Sequence, residues 1–515
     1  MRFILRFTAC ILACGLSVEL VHSQSYPMAR TGGNYMHNYY LPPPSPDSPR
    51  WPAWSPDGES LAFAMHGSIW RHKLGSTGAE ELTHSKNYDS SPAWSPDGAW
   101  IVYTSEEDGQ TLDLMILNVS TGVSTNFRSG EHLYLDPTWS PDGQTLAYVS
   151  TEPVGFFNIY TQNIERGLPS GEPVALTRDN LFGRSRLYFS DNDLHIQPTW
   201  SPGGDEIIFL SNRGIALGSG AIWRMPAKRD GMDSAQLVHS EQTLYRTRPD
   251  WSPDGSRLVY SSHVGGQYSQ LYLLPAEGGQ PYKITFGEWD HFHPSWSPDG
   301  SKIAYLSNEA GSPQIHILET VGGRDTEVVI EQKQWKTPVG RLAVTVIDSE
   351  TGRPTEARVY AQSIGGKAYA PDGAYHRVGR LNEHFFHANG SFSMDVPTGR
   401  FSVEAVKGFE YLPATQTVEI EAGKVTALAL TMRRIVDMPA EGWYSGSTHV
   451  HMNYAGDLHN TLENLMFMSA AEDQAVVNEL VANKDNRILD YQYFTGKVDP
   501  LTSAERVLMV GEEYR

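Results

Sequence analysis

"PTWSPDG", residues 137–143, is one of six copies of a single phrase, and the fold follows from how those copies are spaced. The others are "PAWSPDG" at 52–58, "PAWSPDG" at 92–98, "PTWSPGG" at 198–204, "PDWSPDG" at 249–255 and "PSWSPDG" at 294–300. Between Trp54, Trp94, Trp139, Trp200, Trp251 and Trp296 the intervals are 40, 45, 61, 51 and 45 residues. Repeats of about 40–50 residues signal four-stranded propeller blades. Within each phrase Ser-Pro-Asp-Gly is a tight turn. The proline presets φ, the aspartate bonds its own backbone, and the glycine accepts positive φ. A strand follows every turn ("SLAFAM", "WIVYTS", "TLAYVS", "EIIFLS", "RLVYSS", "KIAYLS"), and then another such as "DLMILNV" or "QLYLLPA". The tryptophan before each turn is placed to pack between neighbouring blades. Six such units predict a mainly β protein that opens with a six-bladed β-propeller over residues 40–335.

These phrases resemble the propeller repeats of TolB-type periplasmic proteins, over more than half of the chain. The resemblance implies a binding or scaffolding module, with a small molecule, peptide or glycan as ligand. Aligned on the tryptophan, the position three residues before it carries Ser91, Asp136, Gln197, Arg248 and His293. Five residues before it stand Asp89, Tyr134, His195, Arg246 and His291. Strand alternation puts positions two apart on one face. His195, Arg248, His291 and His293 are therefore the candidates for ligand contact at the central channel or its rim. The His-x-His formed by His291 and His293 belongs to this repeat pattern rather than to a metal site.

The length, 515 residues, suits about three domains of ~100–200 residues each. A net charge of −20, from 40 basic and 60 acidic residues, argues against nucleic acid or an anionic membrane surface as partner. The first residues, "MRFILRFTACILACGLSVELVHSQ", have the pattern of a secretory signal peptide over residues 1–23. Its apolar run is interrupted by Glu19 and His22, short of the ~20 residues a spanning helix needs, so no transmembrane segment is expected in the mature chain. Both cysteines, Cys10 and Cys14, lie in this segment. Export without disulfides points to a bacterial periplasm or the outside of the cell.

From residue 339 to 434 the pattern changes to alternating strands with Gly-rich turns, as in "GRLAVTVIDSETGRPTEARVYA", which predicts a small β-sandwich. This stretch resembles a carboxypeptidase regulatory-like sandwich. His376, His384 and His387 fall in an insertion between its strands, expected as a solvated or interface loop.

The last segment, 440–515, opens with "EGWYSGSTHVHMN". Residues i and i+2 of a strand share a face, so His449 and His451 would present two imidazoles side by side. Leu462, Leu465, Met466 and Met468 then have helical spacing behind Asn460 or Thr461 as cap. A buried strand follows at "AVVNELVANKDN", and "SAERVLMVGEEYR" reads as a helix passing into a third strand. Alternation of this kind begins an α/β barrel, whose polar groups gather at strand ends.

The segment resembles the polymerase-and-histidinol-phosphatase (PHP) metal hydrolases, and more closely the CehA/McbA-like metallohydrolases. The resemblance implies that His449 and His451 are metal ligands on the first strand. It makes Glu513, in a Gly-x-Glu, a metal-bridging carboxylate, and Asp485, in "NKDN", the catalytic candidate. Asn486 stands where the family has a histidine, and Ser447 where an aspartate often precedes the first ligand. The implied cofactor is a divalent metal, zinc first, with manganese or iron as alternatives. The implied reaction is hydrolysis of an ester, amide, carbamate or phosphate. From Glu441 to Arg515 there are 75 residues, against about 250 for a whole barrel. The expectation is therefore an incomplete metallohydrolase domain, inactive by itself. The alternative is a periplasmic TolB-type binding or scaffold protein without catalytic activity.

Overall fold

The computed structural model describes residues 29, 47–107, 109–178, 180–186, 190–214, 220–241, 247–379, 383–453, 457–484 and 487–513. The signal-like segment at 1–23, together with Arg246, Asp485 and Asn486, lies outside the described residues.

The repeated phrase folds as its residue types dictate. In the third copy the Ser140 hydroxyl donates to Asp142 Oδ1 at 2.6 Å, the Gln144 amide donates to the same oxygen at 3.0 Å, and Gly143 takes φ +69°. The Ser140 hydroxyl, then the Gln144 amide, hold the Asp142 carboxyl below its ordinary pKa. Each turn feeds an antiparallel sheet of four strands in sequence order, over residues 50–81, 88–128, 134–175, 195–239, 250–283 and 291–327. The sheets join in a propeller-like ring. A side-chain carbon added at Gly143 would sit 3.5 Å from Pro96 of the preceding phrase, and one at Gly58 would sit 3.8 Å from Pro298 of the last phrase. The tryptophans follow the same rule. Trp139 Nε1 donates to Ala93 O at 3.1 Å, and Trp54 Nε1 donates to Ser295 O at 3.0 Å. The strand Gln332–Gln334 adds in parallel to the outer strand of the first sheet, and a hairpin of Leu181–Arg186 with Ser190–Asn192 accounts for the longest repeat interval.

One feature of the ring was not visible as alternation. Trp51, Ser91, Asp136, Gln197, Arg248 and His293, each just before the proline of its phrase, all have positive φ, between 35° and 53°. Strand pairing shifts register across this position, as a β-bulge does. The bulge turns this residue toward the axis and breaks the face it would share with the residue two positions earlier.

Residues 339–434 form two sheets over one core. Val339–Asp348 lies between Ser391–Pro397 and Val425–Arg434, and Glu356–Ser363 lies between His384–Asn389 and Gly399–Val406. Leu342, Val346, Val359, Phe386, Phe401 and Leu430 fill the space between the sheets. This unit docks on the first propeller sheet through a buried lysine. Lys367 Nζ donates to Gly67 O at 2.7 Å and Ser85 O at 3.2 Å. Beside it, His384 stacks on Tyr88 with centroids 4.7 Å apart, and His384 Nδ1 lies 3.1 Å from His376 Nε2. His384 and His387 thus belong to a strand of the sandwich rather than to the expected insertion loop, and with His376 their side chains are buried at interfaces. His387 Nε2 reaches Glu472 Oε1 of the C-terminal segment at 2.7 Å.

The C-terminal segment is a small parallel sheet. Its central strand, Val476–Lys484, is flanked by Gly446–Val450 and Val507–Glu512. The helix Leu462–Ala471 connects the first two strands and is capped by Thr461, whose hydroxyl accepts from Asn464 N at 3.3 Å. The second helix expected before the third strand is absent among the described residues. The Ser503 hydroxyl accepts from Glu505 N at 3.2 Å and Arg506 N at 3.1 Å, closing a local turn, and the strand begins at Val507, which leaves no room for a helix.

The histidine pair at the propeller–sandwich interface sets a pH dependence. Burial lowers His384 to about 4, and burial followed by the neighbouring His384, Arg50 and Arg377 lowers His376 well below 6.5. Both are neutral when folded and take up protons on unfolding. Their contribution is therefore complete above about pH 6.5 and is lost as pH falls toward and through about 4. Thermal unfolding followed across this range should show the melting temperature falling below about pH 6.5. In His384→Phe that fall should be shallower.

Candidate metal centre

The parallel strands bring three candidate ligands of two types, two imidazoles and a carboxylate, to one point. His449 lies in the first strand, His451 follows it directly, and Glu513 follows the third strand, its amide donating to Val481 O at 3.2 Å. On the two flanking strands the even-numbered Val450, Met452, Leu508 and Val510 pack with the helix, so both imidazoles and the carboxylate, at odd positions, share the opposite face of the sheet. His449 Nε2 and His451 Nε2 are 3.0 Å apart, with rings nearly perpendicular at 88°. His449 Nε2 lies 3.6 Å from Glu513 Oε1, and His451 Nε2 lies 3.4 Å from Glu513 Oε2. Zinc bonds of about 2.0–2.1 Å in a tetrahedron put neighbouring donor atoms about 3.3 Å apart. The three separations bracket that value, so the donor set fits a divalent cation. It is the one such group among the described residues.

The local backbone prepares one of the donors. His451 Nδ1 is 2.8 Å from Leu480 O on the central strand. A carbonyl only accepts, so Nδ1 carries the proton and Nε2 keeps its lone pair for a metal. Exposure differs across the group. The side chain of His449 is 55% exposed, against 14% for His451 and 13% for Glu513, which leaves the site open on the His449 side.

Behind the site, on the helix side of the sheet, the chain buries an acid that sequence reading missed. Glu479, in the middle of the central strand, is fully buried, and the Met452 backbone amide offsets its charge only in part. Burial first, then the nearby Asp490 carboxylate, push it up to about 8. A single Glu inside "VVNELV" carries no sequence signal beyond its parity with Val477 and Val481. Asp490 is also buried, and accepts from Asn453 Nδ2 at 2.7 Å and Asn453 N at 3.2 Å.

The propeller candidates separate into two groups. Arg248 and His293 line an axial cavity of about 210 Å³, together with Trp51, Ser91, Asp136 and Gln197. His293 stacks on Trp51 with centroids 5.8 Å apart, and Arg248 pairs with Asp136 while its amide donates to Gln197 Oε1 at 2.9 Å. His195 and His291 are not among the cavity's lining residues. His195 is fully buried, edge-on to Phe209. His291 accepts from Trp289 Nε1 at 2.9 Å and pairs with Gln270 Oε1 at 2.9 Å, and burial lowers it to about 4. The left-handed bulge between the two positions is the reason for the split.

Residues 46–170 and 233–346 match the family model of the TolB beta propeller domain, so the chain carries a TolB-type propeller. The hairpin at 181–192 lies in the gap between the matched parts. A stretch of 91 residues, 17% of the chain, is 32% identical to an uncharacterized peptidase, YuxL, of Bacillus subtilis (strain 168), and spans 13% of that protein. TolB from Acinetobacter baumannii is similar at 18% identity, over 49% of this chain and 57% of that one, with a TM-score of 0.37. An oligogalacturonate lyase in complex with manganese is similar at 16% identity, over 52% of this chain and 76% of that one, with a TM-score of 0.38. No helix among the described residues is long and apolar enough to cross a membrane.

The buried acid supplies a stability test. A carboxyl whose folded pKa is raised is stabilising to keep protonated, so stability is full below about 4.5 and is lost as pH rises through about 8. Glu479→Gln keeps the shape and removes the ionisation. Its gain in melting temperature over the wild type should be larger at about pH 8.5 than at about pH 5.

Proposed function

We propose that this is an exported metal-dependent hydrolase in which a six-bladed TolB-type propeller and a carboxypeptidase regulatory-like sandwich carry a PHP-type metal domain. The observation that carries the reading is the convergence of His449, His451 and Glu513 at the C-terminal ends of parallel strands, where α/β barrels place their chemistry. Three protein donors with an open side is the pattern of a catalytic rather than a structural zinc site. A divalent cation held there would lower the pKa of water and polarise a carbonyl or phosphoryl oxygen. The residues divide the remaining work. His451, oriented by Leu480 O, and His449 offer neutral nitrogen donors, and Glu513 offers the charge that offsets the cation. Asp485, which follows Lys484 in sequence and lies outside the described residues, is the proposed catalytic acid, and esters, amides, carbamates or phosphates are the proposed substrates. The leader-like residues 1–23 support export to the periplasm or beyond.

A second reading, a propeller that binds a peptide, glycan or small molecule without catalysis, is favoured by the axial cavity lined by Arg248 and His293.

Metal analysis of the purified protein, joined to hydrolysis assays on chromogenic esters and phosphates, tests the first reading. Bound zinc, manganese or iron is expected, and His449→Ala and His451→Ala should each weaken metal binding at least about tenfold, with any hydrolysis lost in step. A protein that binds no divalent metal, and whose activity is the same in both variants, would return the chain to the second reading.

A further inference from the structure

We propose that Arg50, on the innermost strand of the first propeller sheet, is a positioning residue for the metal ligands, acting through Asp457. The inference rests on the metal reading above and adds to it a role for the propeller.

The chain leaves the ligand His451 and returns to begin its helix at Leu462, so the intervening loop sets where the histidine strand ends. The near end of that loop is fixed from within the C-terminal segment. Asn453 and Asn460 bond each other, Asn460 N donating to Asn453 Oδ1 at 2.8 Å and Asn453 Nδ2 donating to Asn460 O at 3.1 Å. Asn460 Nδ2 also donates to Met452 O at 3.0 Å, on the residue next to His451. The far end is held by the propeller. The Asp457 carboxylate forms an ion pair with Arg50, whose side chain is 9% exposed. Asn308 Nδ2 donates to Asp457 O at 3.1 Å, and His459 N donates to Gly311 O at 2.8 Å.

Asp457 is thereby tied to the first and last sheets of the ring, and three residues further on Asn460 grips the residue beside a ligand. A charge pair between largely buried groups is costly to break, because it strands the survivor. Arg50 therefore fixes the loop more firmly than an exposed pair would. His451 is joined directly to the gripped Met452, so its place among the donors depends on this loop. Groups that orient metal ligands commonly change affinity by about 10–100-fold when removed.

The test is zinc affinity of the full chain, measured by competition with a chromogenic chelator, together with the visible absorption of the cobalt-substituted protein. Arg50→Gln and Asp457→Asn should each weaken zinc binding about tenfold and alter the cobalt bands. Arg71→Gln, which removes an exposed pair with Glu80 on the same sheet, should change neither. Thermal unfolding identifies a variant that fails to fold, and the other variant then decides. Zinc affinity within about twofold of wild type in the folded variants overturns the role of Arg50, since a tenfold change is only about 1.4 kcal/mol and readily measured. A wild-type protein that binds no zinc or cobalt overturns the metal reading itself.

Discussion

The junction between one Ser-Pro-Asp-Gly turn and the preceding one sets the geometry on which the rest of the molecule is built. Its glycine is needed for a positive φ, and it lies within ordinary contact reach of a proline ring whose own φ is fixed. Repeated around the six phrases, it sets each turn against the one before it and leaves the first turn against the last. The tryptophan indoles add a hydrogen bond across several of the same junctions. Neither contact is strong alone. Their repetition gives a ring whose outer surface is a fixed platform for the two units that follow.

Those units are attached by charge as much as by apolar surface. Lys367 is carried into the first sheet and held by carbonyl oxygens, with the buried Asp89 as its nearest opposing charge. Glu472, at the end of the C-terminal helix, meets Arg358 Nε at 2.7 Å and His387 on the sandwich, and these partners outweigh burial to hold it near 2. Arg50 and Asp457 join the ring to the C-terminal segment. Each pair is directional, so each interface has one register. Apolar patches alone would allow sliding.

The propeller was legible because its signal is local and repeated. Turn chemistry, strand alternation and spacing all sit inside one 40–60-residue unit. The histidine pair was legible through parity, and the Thr461 cap through its place before an apolar helical stretch. Other features depended on contacts that no local pattern records. The bulge before each proline reversed the expected sharing of a face by His291 and His293. A local turn at Ser503 replaced an expected helix. Glu479 looks like any strand glutamate until Asp490 and the helix close over it. Arg50 and Asp457 are 407 residues apart, and nothing near either one names the other.

The left-handed residues around the axis have a consequence for how such a protein can change. One backbone conformation there carries tryptophan, serine, aspartate, glutamine, arginine and histidine in turn, so the conformation is imposed by the ring and is indifferent to the side chain. A non-glycine residue in that conformation costs about 1–2 kcal/mol, less where the residue is aspartate. Exchanging one for another therefore alters the chemistry of the cavity without a change of backbone path. The axis is a ring of positions coupled through their side chains, as Arg248 is to Asp136 and His293 to Trp51, so a new ligand preference is reached by changing such partners together.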